Sequence, residues 1–242
     1  MSALDGIRVI ELPGNSTALA GKLLADMGAD AIVVEPPGGA EARSYPPFYD
    51  NEAGPERSLH WWHFYTSRRG ITLDLTDDKG RDACLKLSAS ADVLLTGADG
   101  VQLPPGLDQA SIAAANPRLV HAAISGFGAD SARAAEPVTD LTILAGGGVV
   151  WSCGYDDHDL PPIRGGGFQG YAAGAHYAVM AILTAVLERY VSGRGQFIDI
   201  SQHAAANVTT EMASYSWLIQ QTTVQRQTGR HAMEIETTPT QV

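Results

Sequence analysis

Two cysteines, Cys84 and Cys153, are all that 242 residues hold, and no pairing pattern connects them. A disulfide framework is excluded, and a core of this length needs none. Free thiols suit a reducing compartment, so a cytoplasmic chain is expected, with both cysteines packed in the core. Positive charge is scarce as well. Sixteen Lys and Arg face 27 Asp and Glu, for a formal net charge of −11. That balance argues against nonspecific nucleic-acid or acidic-membrane binding, although it permits a local basic pocket. The opening MSALDGIRVIEL has no basic start and no apolar run, so no signal peptide is expected. The longest apolar stretch, 171–187, contains Gly174 and His176 and is expected to be too short and too polar to span a membrane. The three-glycine dinucleotide fingerprint is missing too, which argues against a nicotinamide cofactor.

What is present is an alternation of short apolar runs and helical periods. GIRVIEL (6–12) reads as a buried strand ending in a Pro-Gly-Asn turn. Leu19, Leu23, Leu24 and Met27 then recur at helical spacing over 16–29, with Ser16 or Thr17 as cap and Gly28 as stop. DAIVVEPP (30–37) is a second strand stopped by prolines. Further strands are expected at 70–75, 91–97, 118–128 and QFIDIS. Helices are expected at 77–90, 108–115, 140–151, 171–191 and 202–222. The fold expected is α/β, an open, mostly parallel Rossmann-like sheet wrapped by helices. Residues 36–66, rich in proline and aromatics, break the alternation and read as a long loop.

Several segments carry chemistry-bearing residues. The first βα turn, ELPGNSTALAG, could aim backbone amides at an anion. Arg43, Arg68 and Arg69 could each neutralise a phosphate, though each equally suits an ordinary surface arginine. His60 and His63 in HWWHF have a spacing legal for a metal, but packing is the better reading, and no metal is assigned. DDHD (156–159) reads as a solvated turn, with an acid/base or metal cluster as the alternative.

Taken in order, LDGIRVIEL, LLADMGADAIVVEPPGG with the following AR, SRRGITLDLTDDKGRD, ADVLL, NPRLVHAAISGFG and ERYVSGRGQFIDIS resemble the class III CoA-transferase family. This is the carnitine dehydratase, formyl-CoA transferase and α-methylacyl-CoA racemase group. The resemblance runs from about residue 3 to about 203. It implies a Rossmann-like large domain at 1–203 and, at 204–242, a helix and linker toward a smaller domain that is largely missing. It also implies an interlocked dimer and coenzyme A or acyl-CoA as ligand.

The same resemblance places the transferases' nucleophilic aspartate at Gly170, or at Gln169 if the loop slips by one. Neither can attack a thioester. The racemase histidine falls on Thr139, beside Asp140. Of the coenzyme-binding positions, Arg43, Arg68, Arg69 and Leu73 survive. An Asn-Phe pair is replaced by Gly97 and Ala98, a basic residue in the QLPPG segment is lost, and Thr76 stands where lysine is common. A non-catalytic subunit is therefore implied, working with a homologous catalytic chain in a heteromer, or as a homodimer. The alternatives are an enzyme using Asp156, Asp157, His158, Asp159 or His176, and a CoA-independent interaction protein or a fragment of a longer chain.

Overall fold

The computed structural model describes residues 2–98 and 103–226; Gln102 and the aperiodic tail from Gln227 lie outside them. By contacts the chain forms two compact units. The first comprises the chain to Ser125 together with Ala175–Ile200, and the second comprises Gly126–Gly174 and the chain from Ser201.

The first unit carries the sheet. Its strands are β1 (Arg8–Glu11), β2 (Asp30–Glu35), β3 (Arg69–Thr72), β4 (Val93–Ala98), β5 (Val120–Ser125) and β6 (Phe197–Ser201), in the order β3-β2-β1-β4-β5-β6. The β1/β2, β1/β4, β2/β3 and β4/β5 pairs are parallel, with Val9 opposite both Ala31 and Val93. This is the order of doubly wound dinucleotide-binding sheets, whose direction of winding reverses between β1 and β4. Ligands in such sheets sit beyond the carboxyl ends of the strands near that reversal.

Strand alternation divides the core. Val9, Ala31, Val93, Leu95, Val120 and Ala122 point to one face, covered by α1 (Ala18–Asp26) and by α6 (Gln169–Ser192) from Ala175 onward. Ile10, Ile32, Val34 and Leu94 point to the other, covered by α3 (Asp78–Ala89) and α4 (Gln109–Ala115). Strands buried on both faces explain why Val9–Ile10 and Ala31–Val34 are apolar without interruption. Each fully buried Ile or Leu contributes about 1.5–3 kcal/mol. Asp77 stands at the N-cap position of α3 without a side-chain capping bond, whereas the Asp108 carboxylate caps α4, accepting from Ser111 N at 3.0 Å.

Several expectations need correction. The 36–66 segment contains α2 (Leu59–Phe64), capped by Ser58, whose hydroxyl accepts from Trp61 N at 3.1 Å, and two 3₁₀ turns. The helix expected over 140–151 is the short α5 (Asp140–Gly146). It stops because Gly147 caps it and Gly148 turns left-handed at φ +90°. The helix expected over 202–222 is broken into α7 (Gln202–Val208), α8 (Glu211–Tyr215) and a π turn over Ser216–Gln220. The Thr209 and Thr210 hydroxyls donate to the Ala206 and Asn207 carbonyls at 2.6 Å, taking acceptors that a continuous helix would use. Cys84 is buried, but Cys153 is exposed. α6 is longer than its apolar core suggested: at 24 residues it is long and apolar enough to cross a membrane, yet half of its most apolar window is buried in protein. Ala175, Ala178, Val179, Ile182 and Val186 fill the first unit's core, as in the central helix of a globular domain.

Candidate functional site

At the carboxyl end of β1, Glu11 is fully buried. Its Oε2 accepts from Arg68 Nη1 and its Oε1 from the Thr17 hydroxyl at 3.1 Å. Thr17 Oγ1 also accepts from Gly14 N at 3.1 Å, and the Tyr65 hydroxyl donates to Gly14 O at 3.3 Å. The first βα turn is thus pinned from two sides. Arg68 lies over the Tyr65 ring, 4.4 Å from its centroid. A Cβ at Gly21 would sit 2.0 Å from Glu11 Oε2, so only glycine lets α1 pass. Burial pushes the Glu11 carboxyl above its ordinary range, with Arg68 pulling it back. The Arg68 side chain is 1% exposed, and its Nε and Nη2 find no partner among the described residues. It is therefore sealed within the unit, where a ligand phosphate does not reach it in this conformation.

Arg43 lies beyond β2 and closes a different arrangement. Its Nε and Nη2 donate to the two oxygens of Glu35 at 2.6 and 2.9 Å, a bidentate pair. Nη1 donates to Glu56 at 2.7 Å and to Pro55 O at 3.3 Å, and the guanidinium lies 3.9 Å above the Trp61 ring. Hydrogen bonding from Arg43 holds the Glu35 carboxyl below its ordinary range, and Ala40 N adds a bond at 2.9 Å. A Cβ at Gly39 would meet Arg43 Cδ at 2.8 Å, so glycine is needed for the side chain to cross the turn. Arg43 lines a cavity of about 510 Å³ with Gly38, Gly39, Phe48, Ala53 and Pro55. Arg69, by contrast, is 63% exposed and pairs with Asp30 at 2.6 Å, while Leu73 packs against the core.

The second unit holds the loop that leads into α6. Thr139 is fully used in capping α5: it accepts from Thr142 N at 3.3 Å, and its own N donates to Thr142 Oγ1 at 2.8 Å. Asp140 is 5% exposed and accepts from Gly170 N at 2.7 Å, Tyr171 N at 3.3 Å and Arg164 Nη1 at 3.3 Å. An internal carboxylate thus occupies the first free amides of α6. Gly170 is buried, and a Cβ there would lie 2.9 Å from Ile143 Cγ2. Gln169 is exposed at the first position of α6, its amide folded back over Gly165.

The remaining candidates are scattered. His60 and His63 belong to the aromatic stack around Phe64, at 4.6 and 4.7 Å between ring centroids. Asp156, Asp157, His158 and Asp159 form an exposed turn in which Asp159 N donates to Asp157 Oδ1 at 3.0 Å; His176 is exposed on α6. Two arrangements escaped the sequence reading. The Glu11–Arg68 pair joins residues 57 apart, and Asp140 caps a helix 30 residues on. Neither has a local signature.

Residues 4–241 match CoA-transferase family III. The chain is 30% identical over 230 residues to the succinyl-CoA:(R)-benzylsuccinate CoA-transferase subunit BbsE of Thauera aromatica, covering 93% of this chain and 54% of that protein. It is 32% identical over 240 residues to the succinyl-CoA:mesaconate CoA-transferase of Haloarcula hispanica, covering 96% and 59%. The structure of a CAIB/BAIF family protein from Brucella suis superposes with a TM-score of 0.86 at 30% identity, covering 95% of this chain and 61% of that one. The chain thus spans little more than half the length of these relatives. On the strand order, the ordered blocks and these matches, it belongs to CoA-transferase family III.

Proposed function

We propose that this chain is a subunit without a nucleophile of its own, acting with a catalytic family member in acyl-CoA metabolism. The observation that carries the reading is the start of α6. The position expected to hold the acyl-accepting aspartate reads Gln169 or Gly170, and Asp140 already takes the adjacent amides. A carboxylate is suited to this step because it attacks a thioester and later leaves again; a carboxamide does not. Thr139, at the racemase histidine's position, is committed to a cap and has no basic nitrogen. A heteromer is supported by the likeness to BbsE, which is itself named as a subunit. Coenzyme A would lie at the carboxyl ends of β1 and β2, with Arg43 at its phosphates and intertwined chains completing the enzyme.

A second reading is favoured by the relatives named as transferases: an active enzyme that uses Asp156, Asp157, His158, Asp159 or His176. One experiment separates the two. The purified chain is assayed for CoA transfer from succinyl-CoA to a panel of free carboxylic acids, alone and co-expressed with a full-length family member. The proposal expects transfer only in the co-expressed pair, lost when the partner's aspartate is changed to alanine. Turnover by the isolated chain that disappears in Asp157→Asn or His158→Ala would establish the second reading instead.

A further inference from the structure

Acidic residues lie on and next to the segments that line the cavity beside Arg43. Glu41 lines it, Glu35 and Glu56 hold Arg43, and Asp50 and Glu52 pair with Arg57 at 3.5 and 3.2 Å. The two carboxylates on Arg43 are not alike. Glu35 is a built-in partner: its side chain is 10% exposed, it binds both oxygens to the guanidinium, and it accepts from Ala40 N. Glu56 is 79% exposed and touches only Nη1. Its backbone is held independently, since Trp62 Nε1 donates to the Glu56 carbonyl at 3.0 Å and Arg57 N donates to Gly54 O at 3.0 Å. The carboxylate is therefore free to swing while the backbone beneath it stays in place.

We infer that Glu56 is an internal anion gate: its carboxylate occupies the edge of Arg43 that an incoming phosphate needs, and it must be displaced for a phosphorylated ligand to bind. The inference rests on the proposed CoA-binding role of the cavity. Nε and Nη2 of Arg43 are taken by Glu35, so Nη1 is the edge that a weak, solvent-exposed ion pair leaves exchangeable. A phosphate monoester carries more charge than a carboxylate and wins the exchange against Glu56 but not against Glu35. Glu41 in the cavity lining works against an anion, so the ligand class that benefits is one with a second anchor. A purine nucleotide with a 3′-phosphate has that anchor in its ring, for which the 510 Å³ cavity leaves room.

The test is calorimetric titration of adenosine 3′,5′-bisphosphate into the full chain, the Glu56→Gln variant, the Arg43→Met variant and the double variant. Glu56→Gln is expected to lower Kd two- to fivefold, and the gain is expected to vanish on an Arg43→Met background. Thermal melts confirm that each variant is folded; if Arg43→Met is not, the Glu56→Gln comparison decides alone. An unchanged or weaker Kd in Glu56→Gln, in a chain that binds the nucleotide, would overturn the gate and leave CoA binding standing. No binding by either the parent chain or Glu56→Gln at millimolar nucleotide would overturn the gate and the CoA pocket together.

Discussion

Placing an acid at the start of α6 tests the geometry there directly, because positions 169 and 170 should behave in opposite ways. At Gly170 a Cβ would lie 2.9 Å from Ile143 Cγ2, 3.1 Å from Ile143 Cβ and 3.2 Å from Asp140 O. Ile143 is fully buried and Asp140 O is backbone, so neither yields cheaply. Overpacking of this kind costs about 1–3 kcal/mol. A second carboxylate close to Asp140, whose Oδ1 already holds Gly170 N, adds like-charge repulsion. At Gln169 the side chain is exposed on the first residue of the helix, where an acid gains about 0.3–1 kcal/mol from the helix dipole. Both positions share that first-turn gain, so Gly170→Asp should unfold about 1–3 kcal/mol more easily than Gln169→Asp. Urea denaturation of the two variants and the parent chain, followed by circular dichroism, measures the gap. Equal midpoints with equal slopes would show that the packing around Gly170 is not what keeps it glycine.

Two other perturbations reach the first unit. Burial lowers the His121 pKa to about 4, while its Nε2 stays 2.9 Å from the Thr96 hydroxyl. Between pH 6.5 and 4 the unfolded chain therefore takes up a proton that the folded chain refuses, and stability present above 6.5 is lost as pH falls. About 2 kcal/mol should go by pH 5, seen as a drop in urea midpoint that His121→Gln largely abolishes. Glu11, with its raised pKa, gains stability as pH falls, so the slopes of parent and variant must be compared; identical slopes would remove His121 as the cause. Glu11→Gln or Arg68→Met should each cost about 3–5 kcal/mol by leaving a buried charge alone, with the double change costing clearly less than the sum. Strict additivity in that cycle would mean that the pair is not coupled.

The two central strands were legible because a parallel strand covered on both faces is apolar in its interior, as Val9–Ile10 and Ala31–Val34 are. The βαβ order followed from turn residues such as Gly28, which adopts φ +100°. α2 was hidden because six residues, five of them aromatic rings, following a proline-rich stretch give no helical period; its start depends on one hydroxyl, Ser58. The break after α7 was hidden for a related reason: Thr209 and Thr210 are tolerated in helices, and only their bonds to the Ala206 and Asn207 carbonyls end this one. At the start of α6 the family resemblance points to an aspartate position at 169 or 170, which this chain fills with Gln and Gly. The sequence could not register that an aspartate 30 residues earlier returns to the same amides. Arg43, Arg68 and Arg69 looked alike in the chain, and only burial separates them.

The close approach at Gly21 has a consequence for how this chain can change over generations. Glu11 Oε2 occupies the space that a methyl group at residue 21 would need. A mutation at 21 is therefore open only after residue 11 has become smaller, and a smaller residue 11 leaves the Arg68 guanidinium without its counter-charge. The three codons are locked in sequence, each step closed until another has been taken at a loss. Gln169, exposed at the start of α6, carries no such dependence and can be exchanged in a single move, whereas 11, 21 and 68 offer none.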